Sequence, residues 1–280
     1  MDIIKDTDFT DERSLFQGKN LQIDNCTFQI GESPLKESEN IDIKNSCFKY
    51  KYPLWYSKNI TVESSVFETM ARSGIWYTEN VKVNDCTVKA PKLFRRCKRV
   101  SVQNLTLEDA KETLYFCEKV NLENIVVNNG DYFGMNSRSV KAKNIIINGN
   151  YCFDGGDNIS VKDSIINSKD AFWNCENVYL ENCKIDGEFF GWNSKNIYLK
   201  NCEISSHQGF CYMENIKLEN CTITGGDLLF EYCKNIDAEV LSALESVKNP
   251  ISGTIRSKGI VSLILDDKDI DQKKLKFIKL

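Results

Sequence analysis

The chain has 280 residues, enough for one elongated domain or two compact ones. Its 36 basic and 40 acidic residues leave a formal net charge of −4, which gives no electrostatic case for nucleic acid. The N-terminus, Met-Asp-Ile-Ile-Lys-Asp, has no apolar core of signal-peptide length, and no later stretch reaches the ~18 apolar residues of a membrane helix, so a cytoplasmic, non-membrane protein is expected.

Residues 1–19 lack a full pattern and are expected to cap the first coil. From residue 20 onward a polar marker recurs ahead of Ile, Val or Leu: Asn20, Asn40, Asn59, Asn80, Arg99, Lys119, Ser139, Asn158, Asn177, Asn196, Asn215 and Asn235. The steps are 19 to 21 residues. One and three residues after the marker the chain is apolar, as in Ile41 and Ile43, Val81 and Val83, or Val178 and Leu180. Polar residues alternate with them, which is the period-two pattern of a strand with one buried face.

Five residues after the marker stands Asn or Asp in almost every unit, including Asn25, Asn45, Asn104, Asn144, Asn182 and Asn220. These residues tolerate the left-handed conformation of a sharp bend, and stacked ~4.8 Å apart their amides form a hydrogen-bonded ladder. Eight residues after the marker is a further apolar column containing Phe28, Phe48, Phe67 and Ile185. Such a unit is too short for a strand–helix pair, and it lacks the leucine-rich consensus. The expectation is an all-β, single-stranded right-handed parallel β-helix of about 11–12 coils, 19–21 residues each. It is read as one domain over 1–280, with regular coils over 20–236 and irregular coils and a cap over 237–280.

Twelve cysteines have no CxxC-like spacing. Cys97, Cys117, Cys175 and Cys233 fall where Ser57, Thr78, Ser137 and Ser194 stand in other coils, so they read as buried packing residues rather than as metal ligands. No metal or cofactor is expected.

Four residues before the marker lie Trp55, Trp76, Arg95, Tyr115, Met135, Asp154, Trp173, Trp192, Cys211 and Glu231, so all four tryptophans share one column. Facing outward, the column is a stripe on which sugar rings stack; folded over the corner, it is packing. Eight residues before the marker the column is polar, with Asp131, Lys169, Glu188, His207 and Asp227, and Asp170 stands beside it. His207, the single histidine, is expected between Glu188 and Asp227, two carboxylates roughly 9–10 Å apart at the backbone. Asp154, Asp170, Glu188 and His207 are the acid–base candidates, and Trp55, Trp76, Arg95, Tyr115, Asp131, Lys169, Trp173 and Trp192 the ligand-binding ones. A solvated charge ladder explains the same residues. The basic cluster Arg95-Arg96-Cys97-Lys98-Arg99 reads as a solvated corner.

Gly74-Ile-Trp-Tyr77, Ala90-Pro-Lys-Leu-Phe-Arg95, Glu112-Thr-Leu114, Asp131-Tyr-Phe-Gly-Met-Asn-Ser137, Ser168-Lys-Asp-Ala-Phe-Trp173, Gly191-Trp-Asn-Ser194 and Lys248-Asn-Pro-Ile-Ser-Gly-Thr-Ile255 resemble a bacterial family classed as a domain of unknown function. The resemblance covers nearly the whole chain. It implies a right-handed, pectate-lyase-like β-helix and no activity. The site motifs of pectate lyases and polygalacturonases are absent, so analogy to sugar-acting enzymes rests on fold alone.

Two functions are expected from different classes. One is a carbohydrate-binding or carbohydrate-active protein, taking an oligosaccharide and, if an enzyme, hydrolase- or lyase-like. The other is a non-catalytic scaffold that binds a protein or itself, for which exposed end coils could pair as a homodimer.

Overall fold

A computed structural model describes residues 1–280. The chain is all-β: it has no α-helix, and its helical content is one 3₁₀ turn at Gln272–Lys274. Its contacts divide it into two compact units, Met1–Ile145 and Ile146–Leu280.

In the first unit the strands Asp2–Lys5, Lys19–Asp24, Glu39–Lys44, Lys58–Glu63, Glu79–Asn84, Lys98–Leu107 and Glu118–Val127 pair in parallel, each with the next. Arg138–Asn148 begins the coil after them. Registry is residue to residue, with Ile41 opposite Ile60 and Ile60 opposite Val81. In the second unit Asp157–Lys162, Glu176–Glu181, Lys195–Lys200, Glu214–Thr224, Lys234–Val240, Gly253–Ser257 and Leu275–Lys279 pair the same way. Each unit is thus a parallel β-solenoid.

More coils form than the repeat marker counts. Residues 1–19 are not only a cap: Ile4 pairs with Ile23 and Phe9 with Phe28, so a coil exists there without a marker. Beyond residue 236, Gly253–Ser257 and Leu275–Lys279 add two further rungs. The marker asparagine serves corner geometry, and a strand pairs without it.

The core is a set of inward columns. Phe9, Phe28, Phe48 and Phe67 stack at 4.8–5.0 Å between ring centroids. A second phenylalanine column, Phe153, Phe172, Phe190, Phe210 and Phe230, fills the second unit and is fully buried. That column stands next to the tryptophans in sequence, and the period alone did not single it out.

Three recurrent corners bend the regular coils through positive φ, and a fourth positive-φ column, including Ser33, Tyr52, Ser73 and Lys92, lies seven residues before the marker. The marker supplies one, as at Asn40 (57°) and Asn59 (56°), and the expected asparagine column supplies another, as at Asn45 (49°) and Asn104 (53°). The third lies three residues before the marker. Asparagine side chains hydrogen-bond from rung to rung at all three of these corners, at the third between Asn193 and Asn174. Asn104, Asn124 and Asn144 form one run at 2.8–2.9 Å; Asn20, Asn40, Asn59 and Asn80 form another at 2.8–2.9 Å.

Cysteine replaces serine in an inward hydrogen-bonding column. Thr78 Oγ1 donates to the Leu54 carbonyl at 2.6 Å, and one rung on the Cys97 thiol donates to the Ile75 carbonyl at 3.0 Å. Of the twelve thiols all but Cys47 are buried, and no cluster of cysteine, histidine and carboxylate is arranged to hold a metal.

Candidate functional site

In the first unit, Trp55, Trp76, Arg95 and Tyr115 form a continuous stack beside the third corner. Trp55 and Trp76 lie 5.0 Å apart with planes 6° apart. The Arg95 guanidinium sits 4.6 Å from the Trp76 ring and 4.6 Å from the Tyr115 ring. Glu112 anchors it at 3.1 Å and also takes Lys92 at 3.0 Å. The Trp76 indole donates to the Lys92 carbonyl at 2.8 Å, and the Trp55 indole donates to the Ser73 carbonyl. All four side chains are half-buried. In-register strands carry identical positions one rung apart, which is the spacing of stacked π systems.

Arg95 is therefore not a solvated member of a basic corner, as the sequence suggested. It is sandwiched between two rings, with its Nε buried and unpartnered.

The residue after each of these was not singled out from sequence. Tyr56, Tyr77, Arg96 and Phe116 form an outer row at the third corner, all with positive φ between 51° and 58°. Tyr56 and Tyr77 stack at 4.7 Å, and Arg96 lies 5.0 Å from the Phe116 ring. Tyr56 is 51%, Tyr77 40% and Phe116 42% exposed, which makes this row the outward edge. The signal was present as the doublets Trp55-Tyr56, Trp76-Tyr77, Arg95-Arg96 and Tyr115-Phe116. Each outer ring meets the inner row edge-on: Trp55 and Tyr56 make 76°, Trp76 and Tyr77 72°. The two rows make a ledge whose inner ring faces lie against one another. Asp131, expected in the binding set, is exposed one rung on from Glu112, whose backbone N–H donates to the Asp131 carbonyl at 2.8 Å.

In the second unit, Trp173 and Trp192 are half-buried, 5.7 Å apart and tilted by 31°. Phe189 stands edge-on to both, and its carbonyl accepts from the Trp173 indole at 2.7 Å. The four acid–base candidates have separate surroundings. Asp154 accepts from the Asn174 amide at 2.9 Å. Asp170 is 2% exposed, and burial raises its pKa against the pull of the Asn150 side chain and Lys169. Glu188 pairs with Lys169 at 3.2 Å, on the preceding rung. His207 lies one rung further on, exposed, and its carbonyl accepts from the Asp227 N–H. On the backbone the Gln208 N–H donates to the Glu188 carbonyl at 2.8 Å, which sets His207 on the rung between Glu188 and Asp227.

On the outer face of this unit's sheet lies a charge network that the sequence reading passed over. Glu219 accepts from the Tyr198 hydroxyl at 2.5 Å and pairs with Lys200 at 3.1 Å and Lys217 at 3.3 Å. Lys162 and Glu181 pair at 2.7 Å on the same face. Opposite charges on neighbouring rungs, and within one strand at Lys217 and Glu219, satisfy each other.

No helix is long and apolar enough to cross a membrane. A family model described as a protein of unknown function, DUF3737, matches residues 2–278. No curated protein matches the chain. Among solved structures it is similar to PfbA, a surface adhesin of Streptococcus pneumoniae: identity is 12%, the alignment covers 78% of this chain and 71% of that one, and the TM-score is 0.42. The A-module of the Azotobacter vinelandii mannuronan C-5 epimerase AlgE4 matches at 10% identity over 85% and 88%, with a TM-score of 0.39. HetL, a pentapeptide repeat protein of Nostoc, matches at 9% identity over 79% and 92%, with a TM-score of 0.33. These likenesses carry no statement about ligand or activity.

Proposed function

The chain belongs to the DUF3737 family of unknown function, and from the geometry of its first unit we propose that it is a non-catalytic interaction solenoid whose recognition face is the aromatic–arginine ledge. One observation carries this reading. Exposed Tyr56, Tyr77 and Phe116 occupy left-handed corner positions, at which Asn136, Asn174 and Asn193 stand on other coils and Tyr212 and Tyr232 on two more. Keeping bulky aromatic residues at such positions sacrifices stability, and a functional surface is the usual place for that.

Composition and rigidity support it further. Trp, Tyr and Arg are the residues that dominate protein–protein hot spots. Here they are stacked along four rungs, a strip of roughly 14 Å, so little side-chain entropy remains to be lost on binding. Catalysis has less support. The carboxylates Asp154, Asp170 and Glu188 are respectively bound by an amide, buried and ion-paired.

A carbohydrate reading has its own observation, in the second unit. Trp173 and Trp192 are tilted rather than face to face, and Asp170 and the Lys169–Glu188 pair are close in the chain. Tilted rings keep part of a face for a sugar. Tryptophan emission separates the two readings. In a W173F/W192F chain only Trp55 and Trp76 report, and titration with neutral and uronate oligosaccharides should leave their emission unchanged. A saturable quench there contradicts the protein-partner reading. A quench in the W55F/W76F chain alone places a sugar on the second unit.

A further inference from the structure

The ledge also indicates what kind of partner fits it. We propose that it takes an acidic, extended peptide segment, a reading that rests on the ledge being the recognition face.

An aromatic ring is negative over its faces and positive around its rim. In this stack the faces are used: Trp55 lies against Trp76, Tyr56 against Tyr77, and Arg95 fills the space between Trp76 and Tyr115. What reaches solvent is a row of rims. Flat ligands that need a free face, such as nucleobases or sugar rings, find none between these rungs. An anion meets the rims on their attractive side, and the tyrosine hydroxyls can donate to it.

Cations outnumber carboxylates around the ledge: within three residues of it stand Lys58, Lys92, Arg95, Arg96, Lys98, Arg99 and Lys119 against Glu79, Glu112 and Glu118. Arg96 is exposed beside Phe116, and Lys98 and Lys119 are exposed within three residues of the ledge; none of the three is in an ion pair. Arg99 is held by Glu79 at 2.6 Å, and Glu112 is occupied by Lys92 and Arg95. Within a chain of net charge −4 this strip is locally cationic. Carboxylates can meet Arg96 in the two-bond geometry that guanidinium favours.

Spacing selects an extended chain. Rungs repeat every ~4.8 Å, and an extended chain in the polyproline-II form advances ~3.1 Å per residue with about three residues per turn, so acidic side chains three residues apart lie on one side and meet every second rung.

The test is fluorescence anisotropy of a labelled dodecapeptide carrying Glu at every third position, titrated with the full chain. Saturable binding that weakens with added salt is expected. The R96E/F116E variant, altered only at exposed positions, should bind at least about tenfold more weakly with an unchanged thermal midpoint. Peptides with Gln or Lys in place of Glu should not bind. The proposal is overturned if the acidic peptide fails to bind, if R96E/F116E binds it equally well, or if a single-stranded oligonucleotide displaces it preferentially. Should the peptide fail while a photo-crosslinking p-benzoylphenylalanine in place of Tyr77 still captures a discrete partner, the acidic chemistry is wrong and the ledge remains the recognition face.

Discussion

Tyr56 and Tyr77 stack with ring centroids 4.7 Å apart and planes within 3°, from backbones that both stand in the left-handed region at φ 56° and 58°. Asn174 and Asn193 hold the same corner position in the second unit, at φ 52° and 56°, and bond to each other at 3.0 Å. The left-handed conformation costs an ordinary residue about 1–2 kcal/mol, and a stacked pair returns about 0.5–1.5 kcal/mol. The double variant Y56N/Y77N should therefore be as stable as the parent or more stable by about 1 kcal/mol, while losing partner binding. Urea titration followed by circular dichroism checks it. A loss above about 2 kcal/mol means that the tyrosines are there for stability.

Asn59 donates to Asn40 at 2.8 Å and accepts from Asn80 at 2.9 Å, at φ 56°. Asn59→Ala removes both bonds and leaves a side chain at positive φ, so a cost of about 2–4 kcal/mol is expected. Asn59→Gly loses the same bonds without the backbone strain and should recover about 1 kcal/mol of it. Equal midpoints for the two variants would show that the corner geometry carries no cost.

Burial pushes the Cys152 thiol up to about 12, and Cys86 to about 11. Cys47 is the one thiol that is not buried. A thiol reagent in mildly alkaline buffer should label Cys47 alone in the folded chain, and slowly, since burial raises its pKa too. Mass spectrometry after a short pulse counts the labels. Rapid labelling of several cysteines would mean that the coils open far more easily than this packing implies.

Glu219 is held down to about 2, first by the Tyr198 hydroxyl, then by Lys200 and Lys217. Its folded value lies below that of an unfolded glutamate. The stabilisation is thus complete above the ordinary carboxylate range and fades as pH falls through that range towards 2. Carbon-detected NMR should place the Glu219 midpoint near 2 in the parent chain and higher in Tyr198→Phe. An unchanged midpoint in that variant would remove the hydroxyl as the main cause.

Much of the fold was legible because in-register stacking forces like residues onto one column. The period, Val and Ile at the strand positions and Asn at the corner all follow from that one constraint. Two things were hidden. The end coils lack the marker, since Ile4 and Phe9 need only pair and pack to join the stack. The ledge was half seen, because periodicity assigns residues to columns without saying whether rings lie flat on one another or present a face. That depends on ring orientation, which the Trp76 indole settles through its bond to the Lys92 carbonyl. The outer row was missed because Tyr and Phe are poor candidates for a left-handed corner. Periodicity does not show the side-chain partners of the acid–base candidates, such as Lys169 for Glu188, which lie on neighbouring rungs and change what each carboxylate can do.

Site-specific photo-crosslinking, in cells that make the protein, tests most directly whether the ledge is the recognition face. A p-benzoylphenylalanine residue replaces Tyr77 on the ledge or, as control, Lys82, exposed on the sheet face of the same coil. Position 77 should give a discrete adduct that is absent from position 82 and lost in the R96E/F116E background. No adduct from position 77, or the same adduct from both positions, would contradict a recognition role for the ledge.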